Sequence, residues 1–204
     1  MQKTIFTSGK KYTFSDYFEM TAPTEDIIAA LGYNYAIEKI SFPQQTIIDS
    51  HIITRLNSYY DNIFTKINLN SELAKREFLI APLLIELTQH LPIKINVEYY
   101  IYVNELLSGS LDYLLTATCN LIVIEAKKKD IDNGFNQLAA ELIAMDNYQE
   151  SQHSEVYGAI TLGDLWRFAT LNRVTKIITK DIYSYTIPHD TKEILAILFS
   201  LLTT

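Results

Sequence analysis

The chain has 204 residues, of which 48% are hydrophobic and 20% charged, an ordinary globular composition with length enough for a full core. Its net charge of -7 argues against a broad basic surface for indiscriminate nucleic-acid binding, because neutralising phosphates needs clustered Lys and Arg. A local basic stripe, or carboxylates gathered around a cation, fits within the same total. One cysteine, Cys119, excludes an internal disulfide and a cysteine-based zinc site, and fits a reducing compartment.

The opening "MQKTIFTSGKKYTF" lacks the apolar stretch of a signal peptide, and runs such as "ILAILFSLL" are too short to span a bilayer. The expectation is a cytoplasmic protein with no membrane partner. With 6 Gly, 5 Pro and no like-charge block longer than Lys127 to Lys129, nothing marks a linker, so residues 1–204 read as a single domain.

From Thr24, a good N-cap, "TEDIIAALG" reads as a short helix stopped by Gly32, and "YNYAIEKISF" as extended chain. Helical stretches follow around "TIIDSHIITRLNSYYDNIF" and from Ser71. In "SELAKREFLIAPLLIELTQHL", helical spacing puts Leu73, Ile80, Leu84 and Leu87 on one stripe, with Glu77 among them, so a carboxylate is expected to face the core. Pro82 should kink this helix or mark a boundary within it. "IKINVEYYIYV" reads as a strand, and "GSLDYLLTATCNLIVIEAKKKD" as a hairpin with Cys119 near its turn. "NGFNQLAAELIAMDNY" is a helix with Phe135, Leu138, Leu142 and Met145 on one face, flanked by Gln137 and Glu141 one turn apart. "EVYGAITLGDLWRFATL" is a second hairpin turning at Leu162-Gly163-Asp164, "DIYSYTI" a last short strand and "TKEILAILFSLL" a closing amphipathic helix. The predicted fold class is α/β: a mixed β-sheet with helices on both faces.

The first hairpin poses the chemical question. On its second strand Leu121, Val123, Glu125 and Lys127 share one face; on the first, Ser110, Asp112, Leu114 and Thr116 do. Asp112 joins Glu125 and Lys127 only if the paired residue numbers have an odd sum, and a one-residue slip separates them. Charges forced together between apolar neighbours cost several kcal/mol per unpaired ion, so the site needs a compensating partner. A divalent cation supplies it: Mg²⁺ takes one or two carboxylates plus water and phosphate oxygens. A neighbouring ammonium can then orient a nucleophile or stabilise charge growing on phosphorus oxygens, a recipe for phosphodiester hydrolysis.

These residues resemble the D-x(n)-(D/E)-x-K core of the PD-(D/E)XK nuclease superfamily, the fold of many restriction endonucleases: Asp112 in "LDYLL", then "EAK" in "IVIEAK". "SELAKREFLIAPLL" is similar to the helix that supplies an acidic residue in nuclease domains of type I restriction subunits, "QLAAE" to the glutamine-bearing helix of the recombination-type branch, and "GAITLGDLWRF" to the hairpin after it. The likeness spans about residues 70–170, which leaves an N-terminal helical extension and a C-terminal strand and helix outside it. Ser110-Leu111-Asp112 departs from the Pro-Asp dipeptide of the family name.

The resemblance implies a restriction endonuclease-like sheet and a Mg²⁺-dependent deoxyribonuclease of restriction or repair type, with Mn²⁺ a substitute. It implies Asp112 and Glu125 as metal ligands, Lys127 as the residue that positions or activates the attacking water, Glu77 as a further ligand, direct or through water, and Gln137 as an orienting residue. Glu141 stands where the related branch often has Tyr. DNA is the implied partner. A homodimer, a separate helicase or specificity subunit, strandedness and endo- or exonuclease action are all left open, as is a nuclease-like module without catalysis that only binds a partner.

Blander readings compete. Gln137 and Glu141 taken alone suit a solvated helix shoulder, and Arg167, Arg173, Lys176 and Lys180 a solvated face rather than backbone contacts. The histidines at 51, 90, 153 and 189 lack metal-ligand spacing. Two carboxylates also suit a glycosidase, with Asp112 as acid and Glu125 as nucleophile, but Lys127 on the same face weakens that reading.

Overall fold

The structure is a computed structural model that describes residues 4–43, 48–117, 120–127, 129–148 and 154–203; Cys119, Lys128 and His153 lie outside them. Among the described residues, eight strands form one mixed sheet. These are β1 (Asn34–Glu38), β2 (Lys94–Tyr102), β3 (Ser108–Thr116), β4 (Leu121–Ala126), β5 (Glu155–Thr161), β6 (Leu165–Asn172), β7 (Ile177–Asp181) and the two-residue β8 (Tyr185–Thr186). The order is β1-β7-β6-β5-β4-β3-β2, with β8 on β6. β1 with β7 and β4 with β5 are parallel; the other pairs are antiparallel.

Both sheet faces are covered, as the doubly apolar strands predict. One face carries α3 (Ser50–Lys66), α5 (Ala81–His90) and α7 (Thr191–Thr203), whose Leu56, Leu87 and Leu198 join Ile122 and Ile124 of β4 in one core. The other carries α1 (Phe14–Phe18), α2 (Thr24–Ala30) and α6 (Ile131–Tyr148), whose Phe14, Ile27 and Leu138 meet Val123. No helix among the described residues is long and apolar enough to cross a membrane.

Several local expectations change. Pro23, not Thr24, takes the cap position of α2; Thr24 is the first helical residue, and its hydroxyl donates to Asn136 Oδ1 on α6 at 2.6 Å. Helix α1 is an element the hydrophobic pattern does not announce. Its signal is Thr13 followed three residues later by Asp16, whose carboxylate accepts the Thr13 N–H at 2.8 Å. β7 precedes the expected last strand and supplies the parallel partner of β1.

The helical segment after Ser71 is the main correction. Ser71 caps it, accepting the Ala74 N–H at 3.0 Å, and α4 (Glu72–Lys75) begins as expected. A π-helical turn, Arg76–Ile80, then precedes α5. Ile80, Leu84 and Leu87 are buried, whereas Leu73 is 63% exposed and Glu77 is exposed too, so Glu77 does not face the core. The widened turn takes up one extra residue, which rotates everything before it by about 100° relative to a continuous α-helix. Pro82 accounts for the widening: it offers no N–H to the carbonyl one turn back, and its ring crowds that carbonyl.

Helix α6 lies unusually close to the sheet. A Cβ at Gly134 would stand 2.3 Å from Ile160 Cδ1 and 3.0 Å from Lys127 Cγ, and one at Gly158 would press on Leu138 and Leu142. A side chain at either position would require these neighbours to shift. Residues on its flanks are thereby buried together with those on its core stripe.

Candidate active site

The β3–β4 hairpin has the register that gathers the charges. Tyr113 pairs with Ile124, Leu114 with Val123 and Leu115 with Ile122, an odd sum in each case, and the Ala117 N–H donates to Asn120 O at 2.8 Å beside the turn. Continuing the register sets Asp112 opposite Glu125. The backbone ladder stops there, because Asp112 Oδ2 accepts the Ala126 N–H at 2.8 Å in place of a main-chain carbonyl. On the other side of β3, the pairs Val97–Tyr113 and Tyr99–Leu111 bracket Glu98, which has a left-handed φ of 52°. A non-glycine residue held there stores backbone strain, and it sits directly across from Asp112.

Two cations reach this spot. Arg76 Nη1, from the π-helical turn, lies 3.1 Å from Asp112 Oδ1 and 2.6 Å from Glu98 Oε1, with its guanidinium 5.1 Å from the centre of the Tyr113 ring. Lys127 Nζ touches Glu125 Oε1 and lies 5.2 Å from the centre of the Phe18 ring, while its backbone N–H donates to Thr161 O at 2.8 Å. Sequence pattern did not single out Arg76 or Glu98. The wide turn that carries Glu77 outward brings its neighbour Arg76 inward.

From α6, Gln137 and Glu141 face Glu125. Far from a solvated shoulder, Gln137 is 5% exposed and Glu141 fully buried, and Gln137 Nε2 donates to Glu141 Oε1 at 2.9 Å. Glu125 and Glu141 are near enough to hydrogen-bond if one is protonated. Glu125 Oε2, Glu141 Oε2 and Gln137 Oε1 are buried without a hydrogen-bond donor, while the Lys127 ammonium engages Glu125 Oε1.

The electrostatics follow. Burial pushes the Glu125 carboxyl well above its ordinary value, and the Glu141 and Asp112 charges add to this against Lys127. Burial likewise pushes Glu141 up to about 8. Asp112 is raised by burial more than the Ala126 N–H and Arg76 lower it. Burial pulls Lys127 down, but Glu125 and Asp112 more than offset it and its ammonium is held above the usual value.

Lys127 and Gln137 open on a cleft of about 240 Å³ between α1 and α4, lined also by Phe18, Glu19, Glu72 and Lys129. Glu72, one residue past the Ser71 cap, stands at this mouth, whereas Glu77 does not line it.

Among the described residues, no three His, Cys, Asp or Glu side chains stand together as a ready metal-binding group. The physical reason is that Arg76 holds Asp112 and Lys127 holds Glu125, drawing the carboxylates toward their own cations. The donor set still suits Mg²⁺ or Mn²⁺: carboxylate and amide oxygens, hard ligands that lack hydrogen-bond donors.

Of the four cations near the C-terminal hairpin, Lys176 is exposed, as a solvated face requires, whereas Arg167 and Arg173 are half-buried and Lys180 is buried. Lys180 Nζ lies 2.6 Å and Arg167 Nη1 3.8 Å from Asp132 Oδ1, and Arg173 and Lys176 flank Asp146 at 3.2 and 2.6 Å. All four pair with carboxylates of α6, of which the Asp146 side chain is buried and that of Asp132 exposed. No protein-family model matches the chain, and no curated protein matches it.

Proposed function

We propose that the chain is a metal-dependent phosphodiester hydrolase acting on DNA, of the restriction endonuclease-like class. The single observation that carries the reading is the convergence of Asp112, Glu125 and Lys127 at the end of the hairpin, beside buried oxygens of Gln137 and Glu141 that lack donors. Asp112 and Glu125 would hold Mg²⁺ or Mn²⁺. When bound, such an ion supplies Lewis-acid polarisation of a phosphoryl oxygen and a nucleophile active at neutral pH. Lys127, at the mouth of the cleft, keeps its proton through its carboxylate neighbours, so it orients the attacking water and stabilises negative charge growing on the phosphate. The amide of Gln137 fixes Glu141 and borders the same cleft. Glu77 has no part in this reading, since it is exposed and does not line the cleft.

Purified protein incubated with plasmid and linear DNA plus Mg²⁺ or Mn²⁺ is expected to cleave, and Asp112→Ala or Lys127→Ala to lose about 10²-fold or more of the rate. Equal cleavage by wild type and variants, or none on any substrate, overturns the catalytic reading. Native mass spectrometry of the protein purified from its own cells tests for a homodimer and for a helicase or specificity subunit.

A nuclease-like module without catalysis is the second reading. It is favoured by the internal pairing of both candidate ligands, Asp112 with Arg76 and Glu125 with Lys127, which neutralises them without a metal.

A further inference from the structure

Three buried or half-buried carboxylates, Asp112, Glu125 and Glu141, meet two cations at the hairpin. Arg76 is shared by Asp112 and the exposed Glu98, and Lys127 serves Glu125. Glu141 has only the neutral Gln137 amide on Oε1, and its Oε2 has no donor. Glu141, when ionised, is therefore an unbalanced negative charge at a fully buried position, where an ion without a partner is costly.

Its surroundings are acceptors. Glu125, facing it, has Lys127 on Oε1 and no donor on Oε2, and the Gln137 side chain, whose nitrogen is used on Glu141, leaves its own oxygen free. Two acceptor-only groups face to face are stable only with a proton or a cation between them. Gly134 permits this distance, since a Cβ there would press on Ile160 Cδ1 and the stem of Lys127.

From this geometry we infer that Glu141 is itself a metal ligand, and that Glu125, Glu141 and the Gln137 carbonyl form a hard-oxygen cage on the α6 side of the hairpin. The inference rests on the metal-dependent reading above and deepens it. It accounts for a carboxylate inside a helix flank that hydrophobic burial alone would fill with an apolar residue. It also balances charge: with Glu98 counted on Arg76, four carboxylates against Arg76 and Lys127 leave two negative charges, which a divalent cation neutralises. Glu72 and Glu19 at the rim would then confine the anionic substrate to the Lys127 and Lys129 side of the cleft.

The test is a calorimetric titration of the full chain with Mn²⁺, alongside Glu141→Gln and Asp112→Asn, with thermal melts of each protein in EDTA and in Mn²⁺. Wild type is expected to bind saturably and to melt higher in Mn²⁺. Glu141→Gln, which keeps the shape and removes the charge, is expected to melt higher than wild type in EDTA, to bind Mn²⁺ about 10- to 100-fold more weakly, and to lose most of the Mn²⁺ shift. If Glu141→Gln binds like wild type while Asp112→Asn does not, Glu141 is not a ligand and the metal-dependent reading stands without it. If wild type itself takes up no Mn²⁺, the metal reading fails and the cage with it.

Discussion

Helix α6 buries acidic side chains at two places about one and a half turns apart, and the two are built differently. At Asp146 every carboxylate oxygen is engaged: Oδ1 by Arg173, and Oδ2 by Lys176 and by the Tyr33 hydroxyl at 2.6 Å. Asp near a helix C-terminus is opposed by the dipole, and these cations offset it. At Glu141 the partners are an amide and another carboxylate, and an oxygen is left without a donor. Burial of charge is thus of two kinds here. A satisfied cluster joins α6 to the β6–β7 hairpin, while the unsatisfied one on the same helix is where the cation is proposed.

The contrast is sharpened by removing each charge. Asp146→Ala leaves Arg173 and Lys176 facing a buried gap, and is expected to cost about 3 kcal/mol or more in urea-monitored stability. Loss below about 0.5 kcal/mol would erase the distinction between the clusters.

The pH dependence separates them next. Burial raises the folded-state pKa of Glu141 from 4.5 to about 8, so across that window the folded chain binds more protons than the unfolded one. The stabilisation is complete below about pH 4.5 and is lost as pH rises toward 8, at a slope of at most about 1.4 kcal/mol per pH unit for one proton. Urea melts in EDTA between pH 5 and 8 should show this fall in wild type and a flatter profile in Glu141→Gln. A slope unchanged by the substitution would assign the effect elsewhere.

The smallest effect belongs to an exposed pair with neither burial nor a site around it. Lys10 and Asp16 lie 3.2 Å apart on the surface. Lys10→Ala is expected to change stability by no more than about 0.5 kcal/mol, and a larger loss would show that α1 depends on that contact.

Much of this arrangement can be read from residues alone. Apolar runs on both faces of Leu121–Ala126 require a sheet covered on both sides, and alternation along the hairpin fixes which register gathers Asp112 with Glu125. Periodicity also finds α3, α6 and α7, because each keeps a regular stripe. It fails at Glu77, because a stripe assumes a constant 3.6 residues per turn and the π-helical turn before Pro82 breaks that assumption. The solvated-face reading holds at exposed Lys176 but fails at Arg167, Arg173 and Lys180. Charged residues in a strand or turn read as solvated when their partners lie on another element, and Asp132 and Asp146 both sit on α6.

Sequence by itself determined the α/β class, the hairpin and the three charges within it, since these rest on local propensity and strand alternation. Only the tertiary structure decided that Arg76 rather than Glu77 meets Asp112, and that Gln137 and Glu141 are buried against Glu125. Those outcomes depend on helical phase and on how close one helix can come to the sheet. Both were set by few atoms, the missing N–H of Pro82 and the missing side chain of Gly134.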